Sequence, residues 1–295
     1  MRPRLIDTTH SLSSTFLKNR IVGVFGTSSH KEIRAVTPQI SQNVIFSHPT
    51  LRLLAKYLIQ LVDGKDGSPL QGAPDPKAEI EAMIAKYAIG LGDEVGNEVL
   101  EPANENCHHR HVILLTGSTG GLGSYLLASL LSREDVAVVY AFNRPSETGT
   151  LEQRQRAAFE DRGLDIAWLA SEKLIYVEGD AGQPNLSLDD KTYSNIRDSV
   201  TVIIHNAWRL DFNLALSSFD PNVRGTRHLI DLARASNKID KPRFMFTSSE
   251  ASAQGWEKSK GPFPEEVQFD AGVAIGPGYG GSKYVSERVR ICVMH

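Results

Sequence analysis

The 295-residue chain carries 32 Lys and Arg against 35 Asp and Glu, a net charge of −3, too near neutral for a dedicated nucleic-acid binder. Hydrophobic residues make up 41% and charged residues 23%, enough apolar side chain for a sizeable core. No apolar run reaches the length of a membrane span and the N-terminus lacks the apolar centre of a signal peptide, so the expectation is a soluble, cytoplasmic protein without membrane or nucleic-acid partners. Cys107 and Cys292 stand far apart outside any CxxC pair, which indicates isolated thiols rather than a disulfide framework or a zinc site.

Charge is distributed unevenly in the N-terminal third. Residues 1–62 hold eight Lys/Arg and two Asp/Glu, whereas residues 63–110 hold four and ten. Within 51–61, Leu51, Leu54, Leu58 and Leu61 form one helical stripe behind Pro49, a stripe that needs a partner to cover it. The run DGKDGSPLQGAPDPK at 63–77 is built from turn-forming residues and reads as a linker. From Lys77, the positions of Ile80, Met83, Ile84 and Tyr87 predict a helix that docks on the following domain.

From His111 onward, the short apolar runs HVILLTG, VAVVYAFNR, KLIYVEGD, TVIIHNAW and RFMFTSS alternate with polar helical stretches. That alternation is the pattern of βαβ units. Strands apolar on both faces need helices on both sides, so the predicted fold class is α/β, a Rossmann-like doubly wound parallel sheet preceded by a short helical segment.

The first strand runs into Thr116-Gly117-Ser118-Thr119-Gly120-Gly121-Leu122-Gly123 and then the helical run SYLLASLLSRE. A strand-to-helix turn around a dinucleotide needs a tight bend, a close backbone approach to the pyrophosphate and close packing of helix on strand. Gly117, Gly120 and Gly123 fit these three roles, with Ser118, Thr119, Gly121 and Leu122 completing the cradle. The second strand ends in Asn143-Arg144 rather than in a carboxylate, which favours the 2′-phosphate of NADPH over the free ribose hydroxyls of NADH. Arg154 is either a second group for the adenine side or a solvated helix charge. Asp180 and Ala181, after the third strand, stand where adenine would lie, with a helix cap as the alternative role for Asp180; Asn206 and Ala207, after the fourth, would line the ribose.

After the fifth strand comes Thr247-Ser248-Ser249, and later Tyr279-Gly280-Gly281-Ser282-Lys283 opens a helix. Tyr and Lys four apart share a helical face, and an ammonium beside a phenol favours the phenolate needed for proton transfer. At this point the chain resembles the extended short-chain dehydrogenase/reductase family. The resemblance implies Tyr279 as general acid, Lys283 as holder of the nicotinamide ribose, and Ser249, with Ser248 second, as the hydroxyl on the substrate oxygen.

Within that family, TGSTGGLGSYLL, AFNRP, the run from HNAWRLDF to RHLIDLA, and GYGGSKYVSERV resemble the thioester reductase domains of non-ribosomal-peptide-synthetase-like enzymes, aminoadipate and carboxylic acid reductases among them. His10-Ser11-Leu12 and the run NVIFSHPTLRLLA resemble the latter part of a phosphopantetheine carrier domain. Ser11 matches its 4′-phosphopantetheine serine, although the family has Asp where His10 stands and a helix N-cap is the alternative role. The division implied is a partial carrier at 1–62, a linker with one docking helix at 63–110, and a C-terminally truncated reductase at 111–295, the first part burying too little to be stable alone.

The function implied is NADPH-dependent reduction of a carrier-bound acyl thioester to an aldehyde, the acyl group being activated by an adenylation module elsewhere. Two alternatives stand beside it: an extended reductase or epimerase acting on a free small molecule, and a non-catalytic NADP(H)-binding remnant.

Overall fold

The computed structural model describes residues 11–40, 44–47, 51–63, 75–91, 110–238 and 241–291; Cys107, Cys292, Pro49 and most of the predicted linker lie outside them. Helices α1 (Ser11–Gly26), α2 (Lys31–Val36), α3 (Val44–Ser47) and α4 (Leu51–Val62) enclose a small cluster of their own. Ile40, Val44, Ile45 and Leu54 are its buried members, with Leu58 and Leu61 packed against it. The predicted stripe is therefore covered except at Leu51, which is 67% exposed. Ser11 is the first residue of α1, and its side chain lies outside what the structure describes.

Asp75 caps helix α5 (Pro76–Ala88) by accepting the Lys77 N–H, and Pro76 occupies the first turn, where its missing N–H costs nothing. The expected apolar positions all face the main core: Ile80 and Tyr87 are buried in it, and Met83 and Ile84 pack against it.

Strands β1 (His111–Thr116), β2 (Val136–Asn143), β3 (Leu174–Glu178), β4 (Val202–His205) and β5 (Arg243–Phe246) follow in the runs predicted for them. They form one parallel sheet in the order β3-β2-β1-β4-β5. Helices α6 (Gly121–Ser132), α7 (Leu151–Glu160), α8 (Asp190–Ser199), α9 (Asp220–Arg234) and α10 (Gly278–Ile291) connect or flank them. Successive strand residues face opposite sides. Ile113, Leu115 and Val139 meet Leu127 and Leu131 of α6 and Phe159 of α7, whereas Leu114, Phe142 and Ile203 meet Ile196 of α8, Leu229 of α9 and Val285 of α10. Both faces are thus covered, as parallel sheets require. Cover thins at the two edge strands, where Ile175 and Met245 are 41% and 56% exposed. Strand order reverses between β1 and β4, which opens a crevice at their carboxyl ends.

Helix α5 lies on α10 and α9. Ile80 sits behind Gly281 of α10, where an added Cβ would be 3.7 Å from its Cγ1. Lys77 pairs with Asp270 at 2.8 Å. Arg227 of α9 donates to the carbonyls of Tyr87 and Ile89 at 2.7 and 2.6 Å, satisfying acceptors that the end of α5 leaves open. The docking helix is part of the core beneath the sheet.

Candidate active site

The turn after β1 is shaped by two glycines. Gly117 has φ +72°, and a Cβ there would lie 2.8 Å from the Ala207 Cα; a Cβ on Gly123 would run into the Gly117 carbonyl. Both positions require glycine. Gly120 is the N-cap of α6 and offers its amides no side-chain acceptor, so that helix end remains available for an anion. Among the neighbouring candidates, Thr119 is half-buried, Gly121 is exposed and Leu122 is 52% exposed.

Ser118 and Asn143 were expected to face the cofactor, but their side chains are committed to the protein. Ser118 is fully buried, its Oγ donating to Gln155 Oε1 at 2.6 Å and accepting from Asn143 Nδ2 at 2.7 Å. Asn143 Oδ1 accepts from the Thr119 hydroxyl at 3.2 Å. Only the main chain of Ser118 can serve a ligand. The Asn143 side chain rigidifies the turn from behind, and no spacing rule points to Gln155 as the partner of Ser118.

Arg144 is exposed. Arg154 is not the solvated charge that was its alternative: its side chain is 16% exposed, and Nη2 donates to Glu178 Oε1 at 2.7 Å and to the Arg144 carbonyl at 3.0 Å. Its Nε is buried without a partner among the described residues. Asp180, half-buried, accepts the Gly182 N–H at 2.9 Å, a turn rather than a helix cap. Ala181 is half-buried beside it, and its carbonyl lies 2.8 Å from His228 Nδ1.

At the end of β4, the backbone N–H groups of Asn206 and Ala207 both donate to Thr116 Oγ1, at 3.0 and 2.9 Å. Asn206 Nδ2 donates to the Gly117 carbonyl at 3.3 Å. These contacts fasten the loop after β4 to the glycine turn.

Tyr279 and Lys283 lie in the first half of α10, beside the same crevice. Tyr279 is 6% exposed; its ring packs against Phe212 with centroids 4.7 Å apart, and its hydroxyl makes no hydrogen bond among the described residues. Lys283 is 2% exposed, and its Nζ donates to the Thr247 carbonyl at 2.6 Å. The ammonium stands 4.2 Å above the Trp208 ring and 4.7 Å from that of Phe246. Burial pushes its pKa down to about 7, against a raising influence from Glu287. Its distance to the Tyr279 ring centre is 5.9 Å, so the pair shares a face without bonding directly. Trp208, whose buried Nε1 has no partner among the described residues, was quoted in a sequence motif but not singled out.

The two serines differ. Ser248 donates to Glu287 of α10, whereas Ser249 accepts the Ala251 N–H at 3.2 Å and caps the turn that follows, leaving its proton for another acceptor. A cleft of about 500 Å³ adjoins Ser248, walled by Phe246, Tyr284, Phe263 and Val267.

The residues fit a dinucleotide on three counts: two positions that admit only glycine, a helix N-terminus without a side-chain cap, and a buried guanidinium nitrogen without a partner. No helix among the described residues is long and apolar enough to cross a membrane, and no group of three or more potential metal ligands occurs among them.

Comparison with known proteins agrees with that fit. The chain is 54% identical over 286 residues to the adenylate-forming reductase Nps11 of Serpula lacrymans, covering 95% of this chain and 26% of that protein. It is 35% identical over 252 residues to a carboxylic acid reductase of Neurospora crassa, covering 85% and 22%. The chain thus spans about a quarter of the length of these curated relatives. Among solved structures it is similar to the terminal R domain of the myxalamid PKS-NRPS pathway, with a TM-score of 0.57 and 29% identity over 73% of this chain and 52% of that one. Residues 115–290 match the NAD-binding family described as Male sterility protein, and to that family, which is of the reductase type, this chain belongs.

Proposed function

We propose that the chain performs the NADPH-dependent reduction of an acyl thioester held on a carrier, releasing an aldehyde. The observation that carries this reading is the placing of Tyr279 and the buried Lys283 on one face of α10, beside the crevice where β1 and β4 end. The named activities of the relatives support it: an adenylate-forming reductase and a carboxylic acid reductase. When bound, NADPH would supply hydride to the carbonyl carbon of the thioester, and collapse of the resulting hemithioacetal would break the C–S bond, giving the aldehyde and returning the free carrier thiol.

This chain's residues bind, orient and move a proton. The amides at the start of α6 and the backbone of Gly117–Gly123 hold the pyrophosphate. Arg144 and Arg154 face the 2′-phosphate, with Glu178 yielding part of its hold on Arg154. Asp180 and Ala181 border the adenine, and Asn206 and Ala207 the ribose. Lys283 binds the nicotinamide ribose, and Tyr279 donates the proton to the carbonyl oxygen, while Ser249 hydrogen-bonds that oxygen as charge develops on it. The cleft beside Ser248 receives the acyl arm.

The domain division goes with this reading. Residues 1–62 are the later part of a carrier, with Ser11 as the 4′-phosphopantetheine attachment residue; α5 belongs with the reductase, and an adenylation module elsewhere activates the acid. Incubation of the chain with NADPH and, in turn, an acyl-pantetheine thioester, the free acid and the free aldehyde tests the assignment. Thioester-dependent loss of NADPH absorbance is expected. Turnover of a free small-molecule carbonyl without thioester turnover would point to the alternative reductase, and cofactor binding without any turnover to a binding remnant.

A further inference from the structure

Four fully or almost fully buried polar side chains outside the proposed catalytic set form one connected chain. Thr116 ends β1, His205 ends β4, Thr226 lies on α9 and Ser286 on α10; His205 is 3% exposed and the other three 0%. Thr116 Oγ1 is 2.9 Å from His205 Nδ1. His205 Nε2 is 3.2 Å from Thr226 Oγ1, which lies 3.3 Å from Ser286 Oγ.

The donor count fixes the direction of this chain as far as Thr226, whose own proton has two acceptors at 3.3 Å, Ser286 Oγ and the Asn222 carbonyl. A hydroxyl has two lone pairs and one proton. Thr116 Oγ1 already accepts from the N–H groups of Asn206 and Ala207, so its proton goes to His205 Nδ1, which must be bare. The ring proton is then on Nε2 and is donated to Thr226. The opposite tautomer would set two protons against each other at Nδ1 and leave Nε2 facing Thr226 as an acceptor. A doubly protonated ring would also clash at Nδ1, in a buried site that Lys283 already makes positive.

We infer that His205, as the neutral Nε2–H tautomer, is a positioning residue that locks the glycine turn and the Tyr279/Lys283 helix in register. It touches neither cofactor nor substrate. Through Thr116 it aims the two amides that fasten the loop after β4 to Gly117. Through Thr226 and Ser286 it reaches α10 three residues beyond Lys283. Its ring also backs Trp208 and Phe246, at centroid distances of 5.8 and 5.6 Å, the same two rings that hold the Lys283 ammonium. Buried polar chains of this kind are rigid when every member is satisfied and costly when one is lost.

The inference rests on the proposed nicotinamide site but not on thioester chemistry, so the test separates the two. In the full chain with ¹⁵N-labelled histidine, His205 is expected to show the Nε2–H tautomer without titration between about pH 5 and 8, and Thr116→Val to disturb that signature. An Nδ1–H tautomer, or titration near the usual histidine value, overturns the assignment. His205→Phe fills the same space without polar atoms and is expected to weaken NADPH binding about tenfold, while His205→Gln, which keeps one acceptor and one donor, stays within about threefold of the parent. If His205→Phe does not fold, Thr226→Val removes the acceptor of the Nε2 proton and is expected to weaken NADPH binding in the same direction. Unchanged NADPH binding in a folded His205→Phe or Thr226→Val variant overturns the positioning role. Loss of NADPH binding in His205→Phe with no thioester turnover by the parent chain would support the role of His205 and sink the thioester reading alone.

Discussion

Arg154 of α7 holds Glu178 at the end of β3 with a 2.7 Å contact, although the cofactor reading assigns that guanidinium to a phosphate. The carboxylate pairs a guanidinium whose side chain is only 16% exposed. Arg154→Ala is expected to weaken NADPH by about tenfold and NADH by much less, because one charge-assisted contact contributes roughly 1.5–3 kcal/mol. Glu178→Gln, which removes the competitor, should tighten NADPH several-fold. Titration of both cofactors against the parent and the two variants checks this, and equal losses for NADPH and NADH in Arg154→Ala would contradict it.

Gly117→Ala places a Cβ 2.8 Å from the Ala207 Cα at a left-handed φ of +72°. Two costs combine there, backbone strain of roughly 1–3 kcal/mol and a backbone collision that must separate β1 from the loop after β4. The expected result is a lowered urea midpoint together with lost cofactor binding. Retention of both would show that the turn is looser than described.

His205 imposes a pH dependence on stability. Desolvation and Lys283 push its folded pKa down to about 3 from the usual 6.5. Between those values the unfolded chain takes up a proton that the folded chain refuses, so stability falls as pH drops below 6.5. The slope is about 1.4 kcal/mol per pH unit at most. His205→Gln should remove that slope, which urea denaturation of parent and variant at pH 7 and pH 5 would reveal; parallel losses in the two proteins would refute it.

The proposed division makes helix α5, packed in the main core, the start of the reductase domain. Ile80, 3% exposed and seated behind Gly281, should cost roughly 2–5 kcal/mol on replacement by Ala. Removal of residues 1–74 should leave a chain that unfolds cooperatively and binds NADPH, whereas removal of residues 1–110 strips α5 from the core and should abolish both. Equal behaviour of the two shortened chains would return α5 to the linker.

The sheet was legible because each strand is a run of apolar residues and each crossover a polar stretch. The glycine spacing and the Tyr279–Lys283 interval likewise depend on local geometry that a sequence displays. What escaped the sequence is tertiary. Ser118 and Asn143 lie in the expected motifs, yet Gln155, 37 residues beyond Ser118, turns both away from the ligand. The pairing of Arg154 with Glu178 and the chain from Thr116 to Ser286 join elements far apart in sequence. Leu51 follows the helical stripe but is left uncovered, because a stripe gives the direction of a face and not the extent of its partner.

The central claim is tested most directly by following NADPH absorbance with an acyl-pantetheine thioester, in the parent chain and in Tyr279→Phe. Thioester-dependent oxidation in the parent, reduced by about 10²-fold or more in a Tyr279→Phe variant that still binds NADPH, is the predicted result. Absence of thioester-dependent oxidation in a parent chain that binds NADPH, or an equal rate in Tyr279→Phe, would contradict it.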